Sequence, residues 1–242
     1  DMVEFAEFTL DLFKDKVLTE FETEIKEDRL ETYSMGLTED GKLSHTGGVV
    51  NIVSPDGDDF AQFSDSDYLD VIREHKESWS YMKFPYLKEV GWKGFVDGKD
   101  SGVYRVGPLG RINASKGMKT PKAQEEFDEM FDALGYPVHS TLAYHWARLI
   151  EVLQAAELIQ ELAQDEDLES DNIRNEPGEP GKGVGIVEAA RGTLIHDYEL
   201  DEDGLVKDLN LIVATTHNAA PISMSVRDAA KKYVDGGDVQ EG

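Results

Sequence analysis

The sequence contains no cysteine. Disulfide bonds, zinc ribbons, iron–sulfur ligation and thiol nucleophiles are therefore excluded within this chain. The sequence also has no apolar run of membrane-spanning length and no pattern typical of a signal peptide. These two absences predict a soluble, cytoplasmic chain with no membrane partner.

Basic residues are scarce. The chain has 24 Lys and Arg residues against 50 Asp and Glu residues, which gives a formal net charge of −26. Because phosphate binding needs a basic face, the composition argues against a nucleic-acid partner and against anionic membrane surfaces. Acidity on this scale is also typical of proteins from a high-salt cytoplasm, and the sequence leaves that origin open.

The apolar residues that are present, 40% of the chain, suffice for one sizeable core. Helical spacing marks residues 1–27, and short alternating segments between turn residues mark a meander over 28–64. Helices and an aromatic loop follow over 65–164, then an acidic linker over 165–182, then a hairpin and a C-terminal helix over 183–242. We expect a single α+β domain with a long-helix bundle, a small antiparallel meander and a second β-hairpin region.

Several helix predictions are specific enough to test. Thr120 and Pro121 form a favourable helix start, and the same helix is expected to end near Leu134 and Gly135. A short helix is predicted over Ser66–Lys76. Two apolar stripes are expected to pack against the core. The stripe on the N-terminal helix consists of Phe5, Phe8, Leu12, Phe13, Val17, Phe21 and Ile25. The stripe on the strongest predicted helix, about 140–164, consists of Leu142, Trp146, Leu149, Leu153 and Ala156.

The stretch from Gly183 to Asn218 predicts a short strand, a sharp glycine-bearing corner and a long hairpin. Arg191 lies in that corner. Its fixed donors and permanent charge are suited to holding an anion or a polar ligand atom. The alternative is a structural ion pair with Glu188 or a neighbouring acid. We expect His196 to be a buried hairpin residue and His217 to lie at the rim of a site.

Five segments together resemble one known family. EAARGTLIH, residues 188–196, resembles the EAPRGTL-H segment of nickel–iron hydrogenase large subunits, and VATTHN, residues 213–218, stands where many members have VPSTWN. WSYMKFPY, YRVGPLGRIN and TLAYHWARLIE are similar to further segments of the cytoplasmic branch that works with nicotinamide- or deazaflavin-linked partners. Arg105 and Arg111, both within YRVGPLGRIN, are expected to be structural ion-pair partners.

The resemblance implies roles for five residues. Arg191 matches the arginine that lies over the nickel–iron cluster and is proposed to assist heterolytic cleavage of H₂. Ala190 stands where the family usually has a proline that lines the pocket for diatomic ligands. Val213, Ala214 and Thr215 match the residues around a cyanide on iron, and Thr215 keeps a hydroxyl donor. If this holds, the guanidinium of Arg191 and the hydroxyl of Thr215 must border a common cavity.

One departure from the family shapes the functional hypothesis. Members bind nickel and iron through two C-x-x-C pairs, and this sequence has neither. The main hypothesis is therefore a middle segment of a hydrogenase large subunit, inactive and metal-free alone. In the full-length protein it would work with electron-transfer subunits and an iron–sulfur small subunit. The alternative is a cysteine-free, metal-free scaffold or interaction protein on the same fold. A fragment that exposes apolar faces can also self-associate.

Overall fold

A computed structural model describes residues 1–171, 173–176, 178–235 and 238–239. The predicted linker and C-terminal region therefore extend in part outside the described residues, at 172, 177, 236–237 and 240–242. The described chain has the mixed helix and sheet content expected of an α+β fold. Its helices are α1 Met2–Leu12, α2 Glu22–Glu27, α3 Tyr68–Val71, α4 Pro108–Ala114, α5 Pro121–Leu134, α6 Tyr144–Leu162 and α7 Ala219–Tyr233. None of them is long and apolar enough to cross a membrane.

The strands form four sheets within the described residues. The strands are β1 Tyr33–Glu39, β2 Lys42–Leu43, β3 Val49–Val53, β4 Asp59–Phe63, β5 Ile72–Lys76, β6 Lys83–Leu87, β7 Tyr104–Arg105, β8 Lys182–Ala189, β9 Gly192–Leu200, β10 Val206–Val213, β11 Val234–Asp235 and β12 Asp238–Val239. The largest sheet has the order β2-β1-β3-β4, with β7 parallel to β1, and a second has the order β10-β9-β8. Two further hairpins pair β5 with β6 and β11 with β12.

The helical core is built around α6. Trp146, Ile150 and Leu153 of this helix are fully buried in one cluster that also includes residues of α1, α4 and α5. Helix α5 has the predicted bounds: Pro121 is its first residue, and Gly135 ends it with a φ of 81°. That positive φ is readily adopted by glycine and explains the stop.

The N-terminal helix differs from the prediction in two ways. A π-helical segment, Phe13–Leu18, follows α1, and helix α2 begins at Glu22 after a bend at Phe21. The face that packs on the core carries Val3, Ala6, Leu10 and Phe13. The rest of the predicted stripe is largely on the other side: Phe5, Phe8, Leu12, Val17 and Phe21 are exposed, whereas Ile25 is buried. Helix α1 is apolar on two faces, so periodicity could not identify the buried one.

The predicted helix over Ser66–Lys76 is wrong in its second half. Only residues 65–71 are helical, and Ile72 begins strand β5. That strand pairs with β6, with Ile72 opposite Leu87 and both side chains buried. Pairing with a strand from the aromatic segment therefore overrides the local preference for helix.

The three-stranded sheet of β8, β9 and β10 is apolar on both faces. Ile186, Ile195 and Ile212 lie side by side and are buried against the meander. The opposite face carries Val187, Leu194 and Val213, which are exposed or half-exposed. His196 lies outside the buried set and is half-exposed, so the expectation that it is buried is wrong.

Candidate functional site

The corner that bears Arg191 is fixed by close backbone packing. Ala189 pairs with Gly192, so Ala190 and Arg191 form the turn between β8 and β9. A Cβ on Gly192 would lie 2.2 Å from Cγ2 of Val106, and its φ of +132° also favours glycine. A Cβ on Gly107 would lie 3.3 Å from the carbonyl oxygen of Arg191. Glycine at both positions lets the turn contact the segment that joins β7 to α4.

The end of β10 is tied to the same segment. After Val213 the chain enters a short 3₁₀ turn, Ala214–Thr216, in which Ala214 has a φ of 38°. The Asn218 side chain accepts a hydrogen bond from the Val106 backbone N–H at 2.9 Å and donates one to the Val106 carbonyl at 3.2 Å. The β8–β9 corner and the turn after β10 lie at the same end of the sheet, and both contact Val106.

A cavity of about 420 Å³ opens where these elements meet. Arg191 and Thr215 both line it, which is the arrangement expected from the sequence. Both are exposed, Arg191 in the turn between β8 and β9 and Thr215 in the 3₁₀ turn after β10. The remaining lining residues come mainly from α6 and α7 and from the β7–α4 junction: Arg105, Pro108, Thr141, Tyr144, Arg148, Asn218, Pro221, Ile222, Ser225 and Val226.

The other candidate residues are placed differently. Ala190 and Val213 are exposed and Ala214 is buried, and none of the three lines the cavity. His217 is not at the rim: it is fully buried, with Nδ1 2.6 Å from the Tyr104 hydroxyl. The 3₁₀ turn after β10 reverses the chain there and directs Thr215, not His217, to the cavity.

Sequence reasoning missed most of the far wall of the cavity. Tyr144 and Arg148, one turn apart on α6, lie within a stretch that was interpreted only as a bundle helix. Tyr144 also donates a hydrogen bond to the Val106 carbonyl at 2.9 Å, which ties α6 to the corner. A basic residue four positions after a tyrosine on a mostly apolar helix was the available signal.

Arg111 forms the ion pair that had been considered for Arg191. Its buried guanidinium contacts both carboxylate oxygens of Glu151, at 2.5 and 2.7 Å, and Oε2 of Glu188 at 2.7 Å. It also donates to the Ala189 carbonyl at 2.8 Å. Burial favours the neutral form of the Arg111 guanidinium, whereas Glu151 and Glu188 favour the charged form. The effect of the two carboxylates is larger than that of burial, so the pKa of Arg111 is raised. Glu188 is thus committed to Arg111, so the alternative of an Arg191–Glu188 pair is wrong.

Arg105 is the opposite case. It was expected to be a structural ion-pair partner, and no carboxylate lies within ion-pair distance among the described residues. Its donors bind neutral oxygens instead: Thr32 Oγ1 at 2.9 Å, Leu30 O at 2.6 Å and His139 O at 3.1 Å. Burial lowers the pKa of the Arg105 guanidinium, although an arginine stays charged at neutral pH.

Burial of His217 makes folding pH-dependent. Burial lowers the pKa of His217 to about 3, against about 6.5 in an unfolded chain. A lowered pKa means that stability is present above pH 6.5 and is lost as the pH falls from 6.5 towards 3. Between pH 7 and pH 5, we expect the wild-type free energy of unfolding to fall by about 2 kcal/mol more than that of His217→Gln. Urea titrations at both pH values measure this, and equal losses would contradict it.

The donors of this chain do not fit the ligand set of a nickel–iron centre. The sequence supplies no thiolate, and no group of three His, Asp or Glu residues within the described part of the chain could hold a metal ion. The cavity does suit the groups that surround such a centre without binding the metal, because it offers guanidinium and hydroxyl donors beside apolar side chains.

Solved structures define the class of protein to which this fold belongs. The chain superposes on an NAD⁺-reducing [NiFe]-hydrogenase in the H₂-reduced state with a TM-score of 0.88 and 36% identity, over 99% of this chain and 52% of that one. A Ni-Fe-Se hydrogenase from Desulfomicrobium baculatum shares the fold at 20% identity and a TM-score of 0.58, over 84% of this chain and 46% of that one.

Sequence comparisons give the family. Residues 55–232 match the nickel-dependent hydrogenase family. An F420-non-reducing hydrogenase iron-sulfur subunit of Archaeoglobus profundus is 46% identical over 97% of this chain and 49% of its own length. The NAD-reducing hydrogenase HoxS subunit beta of Cupriavidus necator is 43% identical over 84% of this chain and 41% of its own. The chain belongs to the nickel-dependent hydrogenase family, and it spans about half the length of the curated relatives that it matches.

Proposed function

We propose that the chain is the middle segment of a nickel–iron hydrogenase large subunit, acting in H₂ ⇌ 2H⁺ + 2e⁻. The observation that carries this proposal is the convergence of Arg191 and Thr215 on one cavity from two separate turns at the same end of the three-stranded sheet. The nickel–iron centre, bound through thiolates outside this chain, would supply the hydrogen chemistry. Electron-transfer subunits and an iron–sulfur small subunit would be the cytoplasmic partners.

The residues of this chain would shape the surroundings of that centre. Arg191 forms no ion pair or side-chain hydrogen bond with another described residue, so its charge and donors are available to the cavity. Thr215 provides a hydroxyl donor, as the resemblance to the cyanide-binding run implies. Pro108, Pro221 and Ile222 supply apolar surface that reduces the amount of water beside these donors.

Segment exchange tests the proposal. This chain replaces the matching residues in the HoxS subunit beta of Cupriavidus necator, which keeps the rest of its own sequence. We expect the exchanged enzyme to contain nickel and to oxidise hydrogen, whereas the purified 242-residue chain should bind no stoichiometric nickel and show no uptake. An exchanged enzyme that assembles with nickel and is inactive, or nickel in the isolated chain, would contradict the segment hypothesis.

The absence of cysteine supports one alternative, a metal-free scaffold or interaction protein on the same fold. Exposed apolar surface on β8–β10 and on α1 is consistent with packing against other polypeptide. The exchange experiment separates the two. A scaffold would fold in the exchanged enzyme without supporting hydrogen oxidation.

A further inference from the structure

Helix α1 carries a continuous apolar stripe that the other described residues leave open. The side chains of the stripe recur every three or four residues, which places them on one side of the helix. The opposite side packs on the helical core through residues that include Ala6 and Leu10. A helix that is apolar on two sides is typical of the interior of a bundle. The stripe consists of four residues that are each 48–64% exposed: Met2, Phe5, Phe8 and Leu12.

The stripe continues into a small cavity between the ends of two helices. Met2 belongs to the stripe and also lines this cavity, which has a volume of about 220 Å³. The opposite wall comes from the end of α6, where Ile159 and Ala163 are exposed. The stripe and the cavity together form the α1–α6 groove. Because the stripe spans about 15 Å, or three helical turns, the groove is long enough for one further helix.

Carboxylates border the groove. Every charged residue of α1 is acidic: Glu4, Glu7 and Asp11. Glu7 is paired with Lys122, whereas Asp11 forms no ion pair with any described residue. Glu4 is paired with the ammonium of Asp1, and it lies two turns before Asp11 on the same side of the helix. A helix that packs in the groove therefore meets two carboxylates, and Lys or Arg beside its apolar face would pair with them.

These charges argue against a second copy of this chain as the occupant. Two copies that pair through antiparallel α1 helices would place Glu4 and Asp11 of one copy opposite the same carboxylates of the other. Each chain also carries a net charge of −26, which opposes association of two copies. The large subunit offers a different source of the helix, because this chain spans about half the length of the curated relatives.

We propose that the α1–α6 groove binds a helix from the part of the large subunit that lies outside this chain, and that this helix carries Lys or Arg beside its apolar face. The inference rests on the proposed function, because that function implies the remaining polypeptide. It goes further by naming the surface through which the two parts join and the charges that select the helix.

The absence of cysteine makes the groove accessible to thiol labelling. Phe8→Cys places a thiol in the stripe, and Ala6→Cys is the matched control on the buried side of the same helix. In the isolated chain, we expect a maleimide to label the Phe8→Cys variant rapidly and the Ala6→Cys variant slowly. In the exchanged enzyme, labelling at position 8 should be about a hundredfold slower, as expected for a buried position. Equal rates at position 8 in the two proteins would overturn the proposal.

Photo-crosslinking identifies the occupant. A benzophenone side chain in place of Phe8 reacts on irradiation with whatever lies against it in the exchanged enzyme. We expect the crosslink in the host-derived part of the large subunit, on a helix with Lys or Arg beside its apolar residues. A crosslink to another subunit or to a second copy of this chain would overturn the proposal. An exchanged enzyme that forms the expected crosslink and is inactive would contradict the proposed function alone.

A peptide experiment tests the groove if the exchanged polypeptide does not assemble. Two synthetic amphipathic helices, one of Leu and Lys and one of Leu and Glu, are added to the isolated Phe8→Cys variant. The Leu–Lys helix should slow labelling about tenfold, and the Leu–Glu helix should not, because like charges repel. Leu205→Cys, at an exposed residue of the hairpin turn, controls for general attraction to an acidic chain. No protection of Phe8→Cys, or equal protection of Leu205→Cys, would overturn the assignment.

Discussion

Replacing Arg191 by lysine in the segment-exchanged hydrogenase is expected to lower kcat for hydrogen oxidation by about a hundredfold or more, without loss of nickel. Lysine keeps the charge and loses the planar fork of donors, so it cannot hold two atoms of a neighbouring group at once. The Arg191 side chain is exposed and forms no ion pair or side-chain hydrogen bond within the described chain. The substitution should therefore affect the site and leave folding unchanged.

Arg174→Lys is the control for that experiment, because Arg174 is exposed and is not among the residues that line the cavity. It should retain the activity of the exchanged enzyme. Hydrogen-dependent dye reduction gives kcat, and elemental analysis gives the nickel content of the same samples. An unchanged kcat in Arg191→Lys would show that Arg191 has no role in hydrogen oxidation. Loss of nickel together with activity would assign Arg191 to assembly of the centre instead.

Arg111→Met is expected to destabilise the chain by about 3–5 kcal/mol, the usual cost of removing one partner from a buried ion pair. The substitution leaves Glu151 and Glu188 buried without their shared cation. It also removes the hydrogen bond to the Ala189 carbonyl, next to the corner that bears Arg191. Urea unfolding at pH 7 measures the loss as a shift in the transition midpoint.

Lys207→Met provides a comparison, because it removes the ion pair of Lys207 with Glu199 on an exposed part of the hairpin. Exposed pairs contribute little, so the urea midpoint of this variant should hardly change. A similar small shift in Arg111→Met would show that the buried network does not hold the corner in place.

Local chemistry predicted those parts of the fold that local residues determine. The start of α5 at Pro121 and its stop at Gly135 follow from backbone preferences at single positions, and the structure confirms both. Strand β5 was missed because its partner β6 lies beyond an intervening loop. The stabilisation that β5 gains by pairing with β6 cannot be recognised from the residues of β5 alone.

The choice of buried face was not predictable from periodicity. On the β8–β10 sheet, Ile195 faces the meander and Leu194 faces outward, although either would satisfy an apolar pattern. Helix α1 poses the same ambiguity, with Leu10 buried and Phe8 exposed. Only packing against the rest of the fold decides between two apolar faces.

The candidate site shows the same division between local and distant information. Motif resemblance identified Arg191 and Thr215, and the structure places both on the cavity. The motif resemblance did not distinguish Arg105 from Arg111, and both arginines were predicted to form structural ion pairs. Their difference arises from Glu151 and Glu188, which are 40 and 77 residues beyond Arg111 in sequence and reach only that arginine.

The position of nickel in the segment-exchanged enzyme tests the central claim most directly. Crystals of that enzyme, measured on both sides of the nickel absorption edge, locate the metal by anomalous difference without reference to any assumed site. We predict the nickel at the cavity lined by Arg191 and Thr215, with the guanidinium beside the metal centre. Nickel bound elsewhere, with both side chains facing solvent or other polypeptide, would contradict the assignment.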